Sequence, residues 1–160
     1  MTEDMKNQTV SEDDLSFMRR ALVLAEEAAE KDEVPIGCVI VHDGKIIAEA
    51  SNSREIDKSA THHAEILAIE RACAALGGWR LPNTTLYVTL EPCPMCAGAV
   101  IHARIPRVVF GAYDKRFGAL GSLTDLSVME FNHKPSVTGG VMEEECRTVL
   151  TDYFRKKRQK

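Results

Sequence analysis

Thr85-Leu-Tyr-Val-Thr-Leu-Glu-Pro-Cys-Pro-Met-Cys-Ala-Gly-Ala99 is the stretch whose reading decides the fold. Its opening run, Thr85 to Leu90, is apolar and β-branched and of strand length. Pro94 suits the first position of a helix, where a missing N–H costs nothing. From Met95 to Ala103 the residues are mostly small and apolar, which predicts a short helix. Arg107-Val-Val-Phe-Gly111 returns as a further strand.

Working outward, the same alternation continues. Ser11-Glu-Asp-Asp14 reads as a capping box with Asp in place of the usual Glu. Behind it Leu15, Met18, Ala21, Leu22 and Ala25 recur at helical spacing, so a helix is expected over roughly 12–31. Val34 to Val41 is an apolar run of strand length, Asp43-Gly44 is a hairpin signal, and Lys45 to Ala50 runs back antiparallel. Residues 51–61 read as a polar loop. A helix is expected over 63–76, stopped by Gly77-Gly78. Beyond Gly111 a loop with a short helix near 125–130 leads to a fifth strand near 136–141. The last helix runs from Glu143 to Phe154 or beyond. Strands alternating with helices after one hairpin imply an α/β fold: a mixed five-stranded sheet between two layers of helices. The expectation is one domain over 1–160, with its core at about 12–158.

Composition narrows the function classes. The chain has 160 residues and a net charge of −4, with 44% hydrophobic and 28% charged residues, an ordinary soluble balance. No apolar run approaches the ~20 residues that span a bilayer, and the acidic, polar start lacks the pattern of a secretory signal, so a cytoplasmic, non-membrane protein is expected. An odd count of 5 cysteines argues against a disulfide framework. Cys38, Cys73 and Cys146 read as small packed hydrophobes. The chain ends in a basic run, Arg155, Lys156, Lys157, Arg158 and Lys160, which is compatible with a polyanion partner, although charge alone favours a solvated terminus.

Chemistry concentrates in His63-Ala64-Glu65 and Glu91-Pro92-Cys93-Pro94-Met95-Cys96. One imidazole and two thiolates suit zinc and leave its fourth position open, as catalytic sites do. Cys93 and Cys96, three apart at a helix start, share a face, and the helix N-terminus favours the thiolate. Glu65, two positions from the histidine, sits where a carboxylate can exchange protons with a metal-bound water. Taken singly, a helical His is more often structural, and a lone CxxC can be a redox dithiol. Together, HxE followed by PCxxC is the established signature of zinc nucleobase deaminases.

From about Met18 to Arg158 the chain resembles the bacterial tRNA-specific adenosine deaminase family. The carriers are Glu33-Val-Pro-Ile-Gly37, Thr61-His-His-Ala-Glu65, the stretch from Thr85 to Ala99, Ile101-His-Ala-Arg-Ile105, Arg107-Val-Val-Phe-Gly-Ala112, Gly121-Ser-Leu123 and Phe131-Asn-His133. The resemblance implies the three-layer cytidine-deaminase-like fold, one Zn2+ per subunit on His63, Cys93 and Cys96, and conversion of adenosine to inosine at the wobble position of a tRNA anticodon. It implies a homodimer in which the partner subunit borders the site. Zinc-activated hydroxide would attack C6 while Glu65 protonates N1 and then the leaving ammonia. It further implies that Asn52 contacts the nucleoside, Leu90 the base and Asp114 the RNA backbone or ribose, that Phe154 faces a flipped neighbouring base, and that Arg155 and Arg158 meet phosphates. From the residues alone, Asn52 fits a turn, Leu90 and Phe154 fit the core, and Asp114 fits a solvated loop. The chain departs from the family pattern at Ser51, at His62 and over Tyr113-Asp-Lys-Arg-Phe-Gly118.

Two rival readings remain at this level. A guanine deaminase or other small-base zinc deaminase of the same fold is the first: guanine deaminases also carry Cys-Pro-Met-Cys, but a small free base has no use for a cationic tail, and free cytidine deaminases usually place Cys where His63 stands. A non-catalytic zinc protein that binds RNA would have no need of Glu65.

Overall fold

The computed structural model describes residues 10–159. Residues 1–9 and Lys160 of the basic run lie outside them. The elements are α1 (Glu12–Glu30), β1 (Gly37–His42), β2 (Lys45–Ser51), α2 (Arg54–Asp57), α3 (Ala64–Leu76), β3 (Thr84–Leu90), α4 (Pro94–His102), β4 (Arg107–Ala112), a 3-10 turn (Leu126–Val128), β5 (Ser136–Thr138) and α5 (Glu143–Arg158).

The strands form one sheet in the order β2-β1-β3-β4-β5. β1 is antiparallel to β2 and β3, while β3, β4 and β5 run parallel. The sheet is therefore mixed, as the sequence predicts. Each face carries its own core. One gathers Cys38, Ile40, Leu86, Val88 and Val108 against the small residues of α3 and α4. The other gathers Val39, Val41, Tyr87 and Val109 against Met18 and Ala21 of α1 and Cys146 of α5. Helices on both faces explain why β1 and β3 read as nearly continuous apolar runs.

The capping box forms with Asp14 in the role of the usual glutamate. The Ser11 hydroxyl accepts the Asp14 N–H at 3.0 Å, and the Asp14 carboxylate accepts the Ser11 N–H at 3.1 Å. Gly37 lies so close beneath α1 that a Cβ there would overlap the Ala21 carbonyl and approach the Ala25 nitrogen to 2.8 Å.

Two local expectations change. The 51–61 segment is not all loop: α2 forms within it, because the buried Glu33 carboxylate accepts the N–H groups of Glu55 at 2.7 Å and Ile56 at 3.0 Å. The fifth strand stops at Thr138 rather than near 141. Gly139 is pressed against the Phe110 ring, and Gly140 turns the chain with a φ of 81°.

The register brings one end of several strands together. Gly37 pairs with Ser51, Cys38 with Val88, and Leu90 with Ala112. The start of β1 and the ends of β2, β3 and β4 thus share one edge of the sheet, from which α3 and α4 begin.

Candidate active site

His63 is the N-cap of α3 and Cys93 the N-cap of α4, with Pro94 in that helix's first turn. Neither side chain makes a capping hydrogen bond to its own helix. Nδ1 of His63 lies 3.7 Å from Sγ of Cys93 and 3.5 Å from Sγ of Cys96. The three donor atoms lie within 4.8 Å of one another, a group that can hold a metal ion. Tetrahedral bonds of ~2.3 Å to sulfur and ~2.0 Å to nitrogen would set a sulfur and a nitrogen about 3.5 Å apart, so these donors need little movement to bind. The nitrogen that faces the two sulfurs is Nδ1, which the sequence could not specify.

The electrostatics fit a site built for a cation. The adjacent Cys96 thiol, aided by His63, holds the Cys93 thiol down at about 4 against the opposing effect of burial. Cys96 is pushed far up, first by its Cys93 neighbour and then by burial. His63 is raised, first by Cys93. Two sulfurs and one imidazole thus share protons that a divalent ion would displace. Both helix N-termini add positive potential beside the thiolates. Glu65 lies in the first turn of α3 and is 4% exposed. Burial pushes its carboxyl up to about 7, partly offset by its own backbone N–H and by His63.

Comparison with known proteins agrees with this geometry. The MafB19-like deaminase family matches residues 12–158. A curated relative from Bacillus subtilis (strain 168), a tRNA-specific adenosine deaminase, is 52% identical over 152 residues and covers 94% of each chain. The chain belongs to the tRNA-specific adenosine deaminase family. Among solved structures, one from a study of A-to-I editing by tRNA:A34 deaminases superposes with a TM-score of 0.81 at 48% identity, covering 84% of this chain and 99% of that one. The rival reading finds a more distant match. A guanine deaminase from Bacillus subtilis superposes with a TM-score of 0.60 at 38% identity, covering 75% of this chain and 76% of that one.

Around the metal-binding group this deaminase sorts the other predicted residues. Asn52, at the end of β2, is 4% exposed, and its Oδ1 has no hydrogen-bond partner. Such an orphan acceptor is costly unless a ligand completes it. Leu90 is half-buried and packs with the α1 and α5 core, as its residue type suggests. Asp114 builds a turn: its Oδ1 accepts the N–H groups of Arg116 at 3.0 Å and Phe117 at 3.2 Å. Phe154 is exposed rather than part of the apolar stripe, because α5 turns it outward to stack edge-on with Tyr153. Arg155 is paired with Asp152, whereas Arg158 pairs with no carboxylate among the described residues.

Sequence reasoning missed two buried carboxylates that shape this edge of the sheet. Glu33 caps α2, just beyond Asn52. Glu91, directly before the Pro92-Cys93 turn, binds the loop after β4. The only signal was an acidic residue beside an apolar strand, and its partners lie 22 to 31 residues away.

Proposed function

We propose that the protein hydrolyses adenosine to inosine at the wobble position of a tRNA anticodon, with His63, Cys93 and Cys96 holding one zinc ion per subunit and Glu65 moving the proton. The observation that carries this reading is the convergence of a three-donor group and a buried carboxylate on two helix N-termini at one sheet edge. The donor set fits zinc: one borderline and two soft ligands leave the fourth coordination position free. Bound there, zinc would supply a Lewis acid that lowers the pKa of water to about 7.

The protein's own groups do the rest. Glu65 takes a proton from the attacking water and gives it to N1 of adenine as the oxygen adds to C6. It then carries the second proton to the amino group as the C6–N bond breaks, releasing ammonia and inosine. Its burial keeps bulk water from intercepting these protons, and a dication beside it offsets the cost of its charge. Asn52 offers Oδ1 as an acceptor for a donor on the nucleoside. Asp114 lies beside the strand's path, and Leu90 supports the floor of the base site.

An anticodon loop suits such a site, because its bases are unpaired and extruding one costs little. Phe154 would stack on a neighbouring base while Arg155 and Arg158 meet phosphates. A tRNA substrate would meet the enzyme in the cytoplasm, and among the described residues no helix is long and apolar enough to cross a membrane. The active form would be a homodimer. Met95, Val128, Met129 and Phe131 are exposed, and Phe131 and Leu126 line a cavity of about 270 Å3 with α4, an apolar surface that a second copy would cover.

The test is inosine formation by the purified, zinc-loaded protein on a transcribed anticodon stem-loop with adenosine at the wobble position, with free guanine in parallel. Inosine at that position alone supports the reading. Xanthine from guanine with unmodified RNA overturns it in favour of a guanine deaminase.

A further inference from the structure

Glu91 joins the end of β3 to the Pro92-Cys93 turn, and its side chain is committed to a different segment. The carboxylate is 2% exposed. Oε1 accepts the Asp114 N–H at 3.2 Å and the Ser122 hydroxyl, while Oε2 accepts the N–H groups of Leu120 and Ser122, both at 3.1 Å. The Pro92 carbonyl accepts the Ala119 N–H at 2.8 Å. Gly118 lies against the Glu91 carboxyl so closely that a Cβ would overlap it. The 114–122 loop is thus wrapped around a buried anion by charge-assisted hydrogen bonds.

What the loop presents outward is cationic. Lys115, Arg116 and Phe117 are exposed, and the Asp114 turn fixes the backbone that carries them. Arg116 lines a cavity of about 530 Å3 together with Phe154, Lys157 and Arg158 of α5. Lys157 lies 3.4 Å from Asp32, but among the described residues neither Arg116 nor Arg158 pairs with a carboxylate. Two unpaired guanidinium groups and an exposed aromatic ring around one cavity match single-stranded nucleic acid, with phosphates for the cations and a base for the ring.

We infer that Glu91 is a positioning residue for RNA binding: it holds the 114–122 loop so that Arg116 completes, opposite Phe154 and Arg158, a cradle for the RNA strand next to the edited base. This rests on the RNA reading above. Both Glu91 oxygens are filled by donors of the loop, so the carboxylate acts through Arg116 and not on the reacting atoms. The individual run Tyr113–Gly118 thereby gains a role that its sequence did not disclose.

The experiment compares E91Q, R116A and the double variant, zinc-loaded, on the wobble-adenosine stem-loop, reading KM, kcat, metal content and the salt dependence of RNA binding. R116A should raise KM about tenfold while kcat falls less than threefold, and should lower the slope of log K against log salt by about one. E91Q should reproduce both changes with full metal content, because an amide nitrogen facing those donors releases the loop. The double variant should be no worse than E91Q alone. S122A, which removes one donor at an exposed position, should give a smaller rise in KM that vanishes in the R116A background, and it decides the matter if E91Q does not fold. Unchanged KM and slope in R116A, additive effects, or loss of kcat and metal in E91Q with KM unchanged would overturn the inference. Wild-type protein that binds the RNA with an Arg116-dependent slope but leaves it unedited defeats the deaminase reading alone. Editing that is indifferent to R116A defeats this inference alone.

Discussion

Arg107 grips Asp14 through two nitrogens, with Nη1 2.7 Å from Oδ1 and Nη2 2.9 Å from Oδ2. The pair links the first turn of α1 to the start of β4 across 93 residues, and the Tyr87 hydroxyl donates to the same carboxylate at 2.7 Å. A bidentate guanidinium fixes geometry as well as charge. α1 is therefore locked to the sheet from which the Pro92-Cys93 turn emerges.

That lock should set the acid stability of the protein. Burial alone would raise the Asp14 carboxyl, but the Arg107 and Tyr87 hydrogen bonds and the Ser11 N–H outweigh it and hold it well below the usual carboxylate range. A depressed native pKa means that the unfolded chain takes up the proton first. The stabilisation is present above the unfolded value of about 4 and is lost as pH falls below it. D14N should cost about 2–4 kcal/mol at neutral pH, because it removes the negative charge that the partly buried Arg107 faces. In urea titrations between about pH 5 and pH 2 the variant should lose less stability than the wild type does. Parallel pH profiles would remove Asp14 from this role.

E65Q separates proton transfer from binding. The amide keeps the shape of the buried side chain but cannot accept and release a proton. Turnover on the stem-loop should fall by about 10²–10⁴-fold, while metal content and RNA affinity stay at wild-type levels. Undiminished turnover would refute the shuttle.

Removing the metal should act on both activity and stability. The candidate ligand atoms sit at the N-termini of two helices, so a bound ion would tie α3 to α4. Dialysis against a chelator should abolish inosine formation and lower Tm, and added zinc should restore both. C96S should bind zinc more weakly than the wild type. Full activity after verified metal loss would count against the assignment.

For Asn52 the expected signs of the two effects differ. Its orphan Oδ1 costs the free protein stability and rewards a substrate that donates to it. N52A should therefore lower kcat/KM by about 10–100-fold while leaving Tm unchanged or slightly higher. A large fall in Tm with unaltered kinetics would make the residue a structural one.

Gly111 shows how closely the second helical layer packs. A Cβ there would overlap Cys146 Sγ, come within 2.9 Å of Cys146 Cβ and within 2.8 Å of the Thr89 carbonyl. G111A should destabilise by about 1–3 kcal/mol, and C146A added to it should recover part of that loss but not all, since the carbonyl remains. Calorimetry of the two variants and their combination measures the coupling.

The sequence by itself determined whatever depends on neighbours a few residues apart. The strand–turn–helix around Cys93, the capping box at Ser11, the hairpin at Asp43-Gly44 and the glycine stop at Gly77 are local rules, and each forms as read. The donor types at His63, Cys93 and Cys96 are also legible, because few chemistries need that set. What only the tertiary structure decided depends on groups far apart in the chain. It put Nδ1 of His63 within reach of the two sulfurs, left Asn52 Oδ1 without a partner, turned Phe154 to solvent, and paired Glu33 with α2, Glu91 with the 114–122 loop and Arg107 with Asp14. A buried carboxylate must find its donors wherever folding brings backbone N–H groups, and no periodicity announces that meeting. Periodicity identifies which face of a helix or strand is apolar, but packing alone selects which residues meet across it.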